Sequence, residues 1–259
     1  MKLTVFASGS TGNCALVQGG GRSVLIDAGI SARRIRTALV EGAVDPRCLD
    51  GIFITHEHAD HISGLPVFTK QCAVPIFAPA TVAAALLQLH PGLGGYVRAI
   101  STETSLSLGC MTVTPFPTMH DTPQSVGYRL EAEGAALAIA TDTGCVTDTM
   151  LQYLTGAGGV LIEANHDIRM LQNGPYPAYL KRRILSDRGH LSNDDCMRLA
   201  SELARRGTRH IILGHLSKHN NLPSLARNTV LPGLAGTDAQ LFVAPELGRL
   251  EVEVEPCFA

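Results

Sequence analysis

The chain has 259 residues, 45% of them hydrophobic and 17% charged, so it is long and apolar enough to bury a full hydrophobic core. Its formal net charge of −2 provides no overall field toward nucleic acid or anionic membranes, so any such contact has to be local. Seven scattered cysteines without a C-x-x-C pair leave no thiolate cluster to hold a metal, and they favour reduced thiols over a disulfide framework.

The first quarter of the chain predicts short strands around one helix. MKLTVFASGSTGNC reaches a glycine-rich turn too early for a secretion signal, and no apolar run approaches a membrane span, which predicts a cytoplasmic protein without membrane contact. The strand-like runs are KLTVFA (2–7), CALVQ (14–18), RSVLIDAG (22–29) and GIFIT (51–55). SARRIRTALVEG, between the last two runs, has a serine cap, helical periodicity and a terminal glycine, so we predict a helix there.

The rest of the chain alternates predicted helices and strands. ATVAAALLQLH is predicted to be a helix that stops at Pro91, and SNDDCMRLASELARRG a helix from the Ser192 cap to Gly207. The runs predicted as strands are MTVTPFPT (111–118), SVGYRLEAEG (125–134), AALAIATDTG (135–144), GGVLIEAN (158–165) and TRHIILGH (208–215). Gly134 marks a hairpin between two of them. This order predicts two sheets packed face to face under outer helices, a layered α/β architecture in one domain over residues 1–259.

HEHADH directly follows the apolar run GIFIT, and strand ends are where layered α/β proteins carry functional loops. His56 and His58 alternate by two and point the same way in an extended stretch, whereas Asp60 and His61 fall on the following turn. One metal ion would not need four ligands from one turn, but two adjacent ions would. The alternative is a solvated loop with chance histidines, and the specificity of H-x-H-x-D-H argues against it.

Three further donors stand where apolar runs stop. His120 follows MTVTPFPTM, Asp142 follows AALAIAT, and His215 follows RHIILG. Each is a nitrogen or carboxylate donor suited to borderline divalent metals such as zinc, and a carboxylate such as Asp142 can bridge two cations. Singly, each residue is more often structural, but together with HEHADH they favour a site for two divalent metal ions.

These motifs carry a resemblance to a known family. The chain resembles the metallo-β-lactamase fold superfamily and, through GSTGN, LIDAG, THEHADH, ATDTG, LIEANHD, GHLSN and LGHLSKHNN, its bacterial WalJ/YycJ-type group. The resemblance runs from residue 8 to about residue 231 and implies an αββα sandwich. It implies one metal on His56, His58 and His120, a second on Asp60, His61 and His215, and Asp142 as the bridge. By the same resemblance Asp27 would support the ligand loop, although a plain turn aspartate is an equal alternative.

The fold alone does not fix the reaction. The common zinc lactamases use a cysteine ligand that this ligand set lacks, and the His/Asp set resembles that of phosphodiesterases and nucleases. The WalJ/YycJ resemblance implies a DNA exonuclease that acts from the 5′ end and is linked to repair, with DNA favoured over RNA and either Zn²⁺ or Mn²⁺ as the metal. The alternatives are a hydrolase of small esters, lactones or cyclic phosphodiesters and, less favoured, a non-catalytic binding protein. The sequence does not specify protein partners.

A nuclease also needs an acid to protonate the departing sugar oxygen. Resemblance to the tRNA-processing nucleases implies His190, just before the Ser192-capped helix, as this acid and Glu163 as the residue that orients it. A helix start would favour neutral imidazole, whereas Glu163 would keep a protonated fraction. The alternatives are a loop role for His190, or His166 as the acid. Asp60 is expected to serve catalysis as well as to bind metal.

Local charge suggests where substrate binds. Lys181, Arg182 and Arg183 form the best placed of three basic runs, and the glycine-rich loop with Ser10 and Asn13 could hold a phosphate. A solvated helix face and a plain tight turn are the respective alternatives. Few aromatic residues and no tryptophan leave little for base stacking, which favours binding without sequence preference.

Overall fold

Fourteen strands in the computed structural model, which describes residues 1–256, form two seven-stranded sheets. The strands of the first sheet are β1 (Lys2–Ala7), β2 (Cys14–Gly19), β3 (Arg22–Ile26), β4 (Gly51–Phe53), β5 (Ile76–Pro79), β6 (Val97–Ile100) and β14 (Leu250–Glu253). Those of the second are β7 (Leu106–Leu108), β8 (Met111–Pro117), β9 (Val126–Ala132), β10 (Ala135–Ala140), β11 (Gly159–Glu163), β12 (His210–Gly214) and β13 (Gln240–Val243). The strand orders are β14-β1-β2-β3-β4-β5-β6 and β13-β12-β11-β10-β9-β8-β7.

The α-helices connect and cover these strands. They are α1 (Ala32–Glu41), α2 (Ala59–Ile62), α3 (Leu65–Gln71), α4 (Ala80–Leu89), α5 (Asp148–Leu154), α6 (Ile168–Asn173), α7 (Ala178–Ile184), α8 (Asn193–Arg205) and α9 (Pro223–Val230). No helix in residues 1–256 is long and apolar enough to cross a membrane.

Alternation along the strands divides the buried side chains into layers. In β3, Val24 and Ile26 belong to the core between the two sheets, whereas Leu25 points to the core shared with α1, α3 and α4. A third buried cluster packs the outer face of the second sheet against α5, α8 and α9. The predicted architecture, two face-to-face sheets with helices outside, is confirmed.

Strand direction brings several loops to one edge of each sheet. β3 to β6 are parallel to one another, as are β10 to β13, and β8 is aligned with β10 because both are antiparallel to β9. The carboxyl ends of these strands therefore share an edge, where chemistry-bearing loops collect in α/β folds.

Three residues at this edge have left-handed backbone conformations. Asp27, Asp142 and His215 follow β3, β10 and β12 with φ angles of 59°, 55° and 53°. This conformation costs a residue with a Cβ on the order of 1–2 kcal/mol, so the surrounding structure has to hold it in place. The turn it produces keeps each side chain at the end of its strand.

The strongest local predictions are confirmed. Helix α1 is capped by the Ser31 hydroxyl and ends at Gly42, and the β9–β10 hairpin turns at Glu133 and Gly134, both with positive φ. The six cysteines within residues 1–256 are free thiols, and Cys257 lies outside the described residues. The prediction that residues 1–259 form one domain includes residues 257–259, which lie outside the described residues. It therefore stays a prediction.

Candidate metal centre

The HEHADH segment forms the floor of the candidate centre. β4 ends at Phe53, and His58 is the residue that precedes the single-turn helix α2, on which Asp60 and His61 lie. His56 and His61 are fully buried, whereas His58 and Asp60 are half-buried. The change from extended chain to helix places Asp60 and His61 on the turn, while the His61 ring stays packed on the His56 ring with centroids 4.1 Å apart.

Six of the seven predicted ligands converge in two groups of three. His56 Nε2 and His120 Nε2 lie 3.0 Å and 3.3 Å from His58 Nδ1. In the second group, His61 Nε2 and His215 Nε2 each lie 3.6 Å from Asp60 Oδ2. Within either group the ligand-type atoms are all within 4.8 Å of one another, close enough to hold one ion.

Asp142 lies between the groups. Its Oδ2 is 3.3 Å from His61 Nε2, and its Oδ1 is 3.4 Å from His215 Nε2 and 3.8 Å from His120 Nε2. Among the described residues, neither Asp142 Oδ2 nor His215 Nε2 has a hydrogen-bond partner, although both atoms are buried. Buried polar atoms left without partners are costly, and a divalent cation would satisfy them. The imidazole and carboxylate donors present therefore fit a divalent metal ion.

Each ligand group draws on both sheets. His56, His58, Asp60 and His61 come from the loop after β4 in the first sheet. His120 follows β8 in the second sheet, and His215 follows β12 of the same sheet. The site therefore exists only where the two sheets are packed together.

Asp27 supports the ligand loop from below. Its Oδ2 lies 2.7 Å from His61 Nδ1, and its Oδ1 accepts from the Thr55 backbone N–H at 2.9 Å. The Thr55 hydroxyl bonds to Asp27 as well and lies 3.0 Å from His56 Nδ1. A carboxylate bonded at Nδ1 leaves Nε2 of His61 to face the centre, which is how supporting groups orient metal-binding imidazoles.

Glu163 supports the opposite side and is fully buried. Its Oε1 lies 2.7 Å from His190 Nδ1 and 2.9 Å from His215 Nδ1, while its Oε2 accepts from the Thr143 and Leu191 backbone N–H groups. Burial raises the pKa of this carboxyl, but the neighbouring His190 and His215 outweigh it and lower the pKa to about 2. One carboxylate thus orients a ligand-type imidazole and a second imidazole beside it.

His190 and His166 have different surroundings. Burial pushes the pKa of His190 down, but the Glu163 carboxylate outweighs burial and raises the pKa above its ordinary value. The side chain of His190 is 21% exposed, so its ring can reach substrate. His166 is 1% exposed, and burial lowers its pKa to about 4. Of the two predicted acids, only His190 combines access with a carboxylate partner.

The predicted phosphate loop lies against the centre. Ser10 is exposed, whereas Asn13 is 6% exposed, accepts from the Gly9 N–H, and places its amide nitrogen 3.1 Å from His61 Nε2 and 3.5 Å from Asp60 Oδ2. This position fits support of two ligand-type side chains better than contact with substrate.

The predicted basic run lies on α7. Arg183 forms an ion pair with Asp121, the residue after His120, and Lys181 Nζ donates to the Gln172 carbonyl at 2.7 Å. Arg182 is exposed and has no ion pair among residues 1–256. The run is therefore beside the centre, with one of its three charges already paired.

Sequence reasoning missed several supporting contacts. The Ser8 hydroxyl accepts from the His215 backbone N–H at 2.8 Å, and the Asn165 amide donates to the His215 carbonyl at 2.9 Å. LIEANHD contained Asn165 only as part of a resemblance, and Ser8 directly precedes the motif GSTGN. Nothing in their local spacing indicates that they meet a loop 50 or 207 residues away.

Comparison with known proteins gives a consistent result. A family profile described as the beta-lactamase superfamily domain matches residues 22–216. Exodeoxyribonuclease WalJ of Streptococcus pneumoniae serotype 2 (strain D39 / NCTC 7466) is 36% identical over 241 residues, covering 92% of this chain and 89% of that protein. Exodeoxyribonuclease YycJ of Bacillus anthracis is 36% identical over 231 residues, covering 89% of this chain and 88% of that protein.

A solved structure shows the same fold. The metallo-beta-lactamase fold protein YhfI from Bacillus subtilis superposes with a TM-score of 0.73 at 20% identity, covering 97% of this chain and 98% of that chain. The αββα sandwich implied by the sequence motifs is thereby confirmed.

Proposed function

The chain belongs to the beta-lactamase superfamily and is a metal-dependent hydrolase, and we propose that it is an exonuclease that cleaves the phosphodiester bonds of DNA. Two relatives named exodeoxyribonuclease, each matched over nearly its whole length, support this substrate class. Action from the 5′ end and a link to repair stay predictions. For the location we propose the cytoplasm.

The observation that carries the proposal is the convergence of two ligand groups on Asp142. We propose that His56, His58 and His120 hold one divalent cation, that Asp60, His61 and His215 hold the other, and that Asp142 touches both. Imidazole and carboxylate ligands suit Zn²⁺ and Mn²⁺ alike. When bound, the cations would supply an activated water molecule and neutralise the charge that grows on the phosphoryl oxygens.

The protein's own residues supply orientation and the proton. Asp27 and Glu163 hold the His61 and His215 rings at Nδ1, which directs Nε2 of each ring to the centre. Glu163 holds His190 Nδ1 in the same way and stabilises its charged form. His190 then donates the proton on Nε2 to the departing sugar oxygen, which would otherwise leave as a poor alkoxide.

One assay separates this function from the alternatives. Purified protein is loaded with Zn²⁺ or Mn²⁺ and given end-labelled single- and double-stranded DNA, the matching RNA, bis(p-nitrophenyl) phosphate and a simple lactone. We expect the highest kcat/KM on DNA, with nucleotides released successively from a strand end. A higher kcat/KM on the lactone would favour the small-ester hydrolase, which the names of the relatives do not favour.

A further inference from the structure

Helix α7 presents an unusual face to solvent beside the candidate metal centre. Tyr179 is 68% exposed, the most exposed of the large hydrophobic side chains among the described residues. Arg182 and Arg183 follow it by three and four positions, so the three side chains lie on one face of the helix. The face therefore combines one bare aromatic ring with two guanidinium groups.

Two contacts hold this face against the centre. The Arg183 guanidinium pairs with Asp121, whose Oδ1 is 3.3 Å from His120 Nε2. At the carboxyl end of α7, the Ile184 carbonyl accepts from the His190 backbone N–H at 3.0 Å. The helix is thus tied both to a proposed metal ligand and to the proposed proton donor.

The charge of the face is suited to a polyanion. Arg182 is exposed without an ion pair in residues 1–256, and Lys181 is bonded to a carbonyl rather than to a carboxylate. Tyr179 likewise has no aromatic partner there, whereas Tyr176 packs edge-on against His219 with ring centroids 5.9 Å apart. The Arg182 guanidinium is therefore available to a phosphate group, and the Tyr179 ring beside it is available to a base.

We propose that Tyr179 and Arg182 bind a single strand of nucleic acid beside the centre, Tyr179 by stacking on a base and Arg182 by contacting a phosphate. Stacking needs a free base face, which an unpaired nucleotide offers and an internal base pair of a duplex does not. The inference rests on the proposed nuclease function and adds to it the strand form that the centre receives. It also explains how a chain with few aromatic residues binds bases without reading their sequence.

The first test compares substitutions at position 179 on single-stranded DNA. Tyr179→Ala should raise KM by about 5- to 150-fold, the loss expected for one base–aromatic stack. Tyr179→Phe should restore most of the affinity because it keeps the ring. The loss should shrink on an oligonucleotide with abasic sites near its end, and it should be smaller on bis(p-nitrophenyl) phosphate. An equal loss on intact and abasic strands, or no loss on either, would overturn the proposal.

The second test reads stacking directly. The sequence contains no tryptophan, so Tyr179→Trp introduces the only indole fluorophore. A phosphorothioate single strand that resists cleavage should quench its emission on binding, and the abasic version should quench it less. Leu89→Trp is the matched control: Leu89 is 55% exposed at the end of α4, which starts at the ligand edge and runs to the opposite edge of its sheet. Equal quenching at both positions would contradict a local stack.

The outcomes for function and for stacking are separable. If the wild-type holoenzyme does not degrade DNA, the proposed function fails. If it degrades DNA but Tyr179→Ala retains the wild-type KM on single strands, only the stacking proposal fails. If Tyr179→Trp is quenched by duplex but not by single-stranded DNA, the strand form is wrong.

Discussion

At the scale of single residues, the Asp142 carboxylate lies 3.8 Å from His120 in one ligand group and 3.3 Å from His61 in the other. Asp142→Asn keeps its shape and tolerates its left-handed backbone, but it removes the negative charge. We expect wild-type protein to bind two divalent ions per chain and the variant to bind at most one, with hydrolysis lost and the fold retained. Elemental analysis of metal-loaded protein after dialysis checks this. Wild-type protein that saturates at one ion would contradict the two-metal centre.

A second residue-scale prediction concerns the proton donor. His190→Ala should retain both metals and bind substrate, yet lose about 10²–10⁴-fold in kcat on DNA because the leaving oxygen is no longer protonated. The loss should be much smaller on a nitrophenyl phosphodiester, whose leaving group departs without a proton.

Comparable losses on the two substrates would remove His190 from this role. His166→Ala is then the next variant to assay. Because burial lowers the pKa of His166 to about 4, we expect it to fail as the acid near neutral pH.

The candidate metal ligands could be predicted from the sequence because the pattern that marks them is local. H-x-H-x-D-H occupies six consecutive positions, and the single donors stand at strand ends where apolar runs stop. The second bond of Glu163, to His215, could not be predicted, because it joins positions 52 residues apart through the packing of two parallel strands. Asn13 was expected to bind phosphate, and its burial beneath Asp60 became visible only once three loops were packed together.

At the scale of elements, Gly29 holds three loops in contact. Its N–H donates to the Asn13 carbonyl, Asn13 N–H donates to the Asp60 carbonyl, and a Cβ at position 29 would lie 1.6 Å from that Asp60 oxygen. Gly29→Ala should therefore displace Asp60, weaken metal binding and destabilise the fold by about 1–3 kcal/mol. Metal titration and thermal unfolding measure both effects.

Gly92→Ala is the matched control for this prediction. A Cβ there meets nothing within 4 Å, so the substitution should leave metal affinity and Tm nearly unchanged. If Gly29→Ala behaves like Gly92→Ala, the close approach of the loops does not position Asp60.

A second element-scale prediction concerns α7. Replacing Lys181 and Arg182 together by glutamate should weaken DNA binding and reduce the slope of log K against log salt by about 1.4 for a single strand, as two phosphate contacts are lost. Arg183 is left intact because its ion pair with Asp121 lies beside His120. Binding isotherms at several salt concentrations provide the measurement.

The control is a charge-matched pair at the other edge of the sheet. Arg205 and Arg209 are exposed at the end of α8 and just before β12, and they form no ion pair in residues 1–256. Their replacement by glutamate should leave the salt slope nearly unchanged. Equal slopes for the two double variants would show that α7 carries no specific phosphate contact.

Elements with a strong local signal were predicted, and those without one were missed. Helix α8 has a serine cap, a long apolar stripe and a closing glycine, all readable in sequence. Strands β6 and β7 are short and half-exposed, and α6 and α7 have few buried residues, so no apolar period marks them. Strand β14 pairs with β1 across about 250 positions, a contact that no local pattern specifies.

At the scale of the whole molecule, the chain crosses between the sheets and returns. Strand β13 completes the second sheet, β14 completes the first, and the Met1 ammonium donates to the Val254 carbonyl at 2.8 Å. We propose that residues 1–259 form one domain, and we expect one cooperative unfolding transition seen alike by circular dichroism and calorimetry. Two resolved transitions would contradict it.

Bound metal should raise the free energy of unfolding, because the metal-binding side chains are brought together only in the folded chain. Free metal at about 100 times its Kd should stabilise the fold by about 2.7 kcal/mol, and chelation should lower Tm accordingly. The Asp142→Asn variant should lose most of this response. A Tm that is indifferent to chelator in wild-type protein would show that the folded chain does not bind metal in preference to the unfolded one.

The division of each ligand group between the two sheets has a mechanical consequence. A pulling force that separates the sheets would load both groups simultaneously, because each takes ligands from the loop after β4 and one histidine from the opposite sheet. With metal bound, the two ligand groups would cross-link the sheets at two points along the edge that carries the centre. Among residues 1–256 the opposite edge carries neither ligand group, so it would open first and the sandwich would hinge about the candidate metal centre.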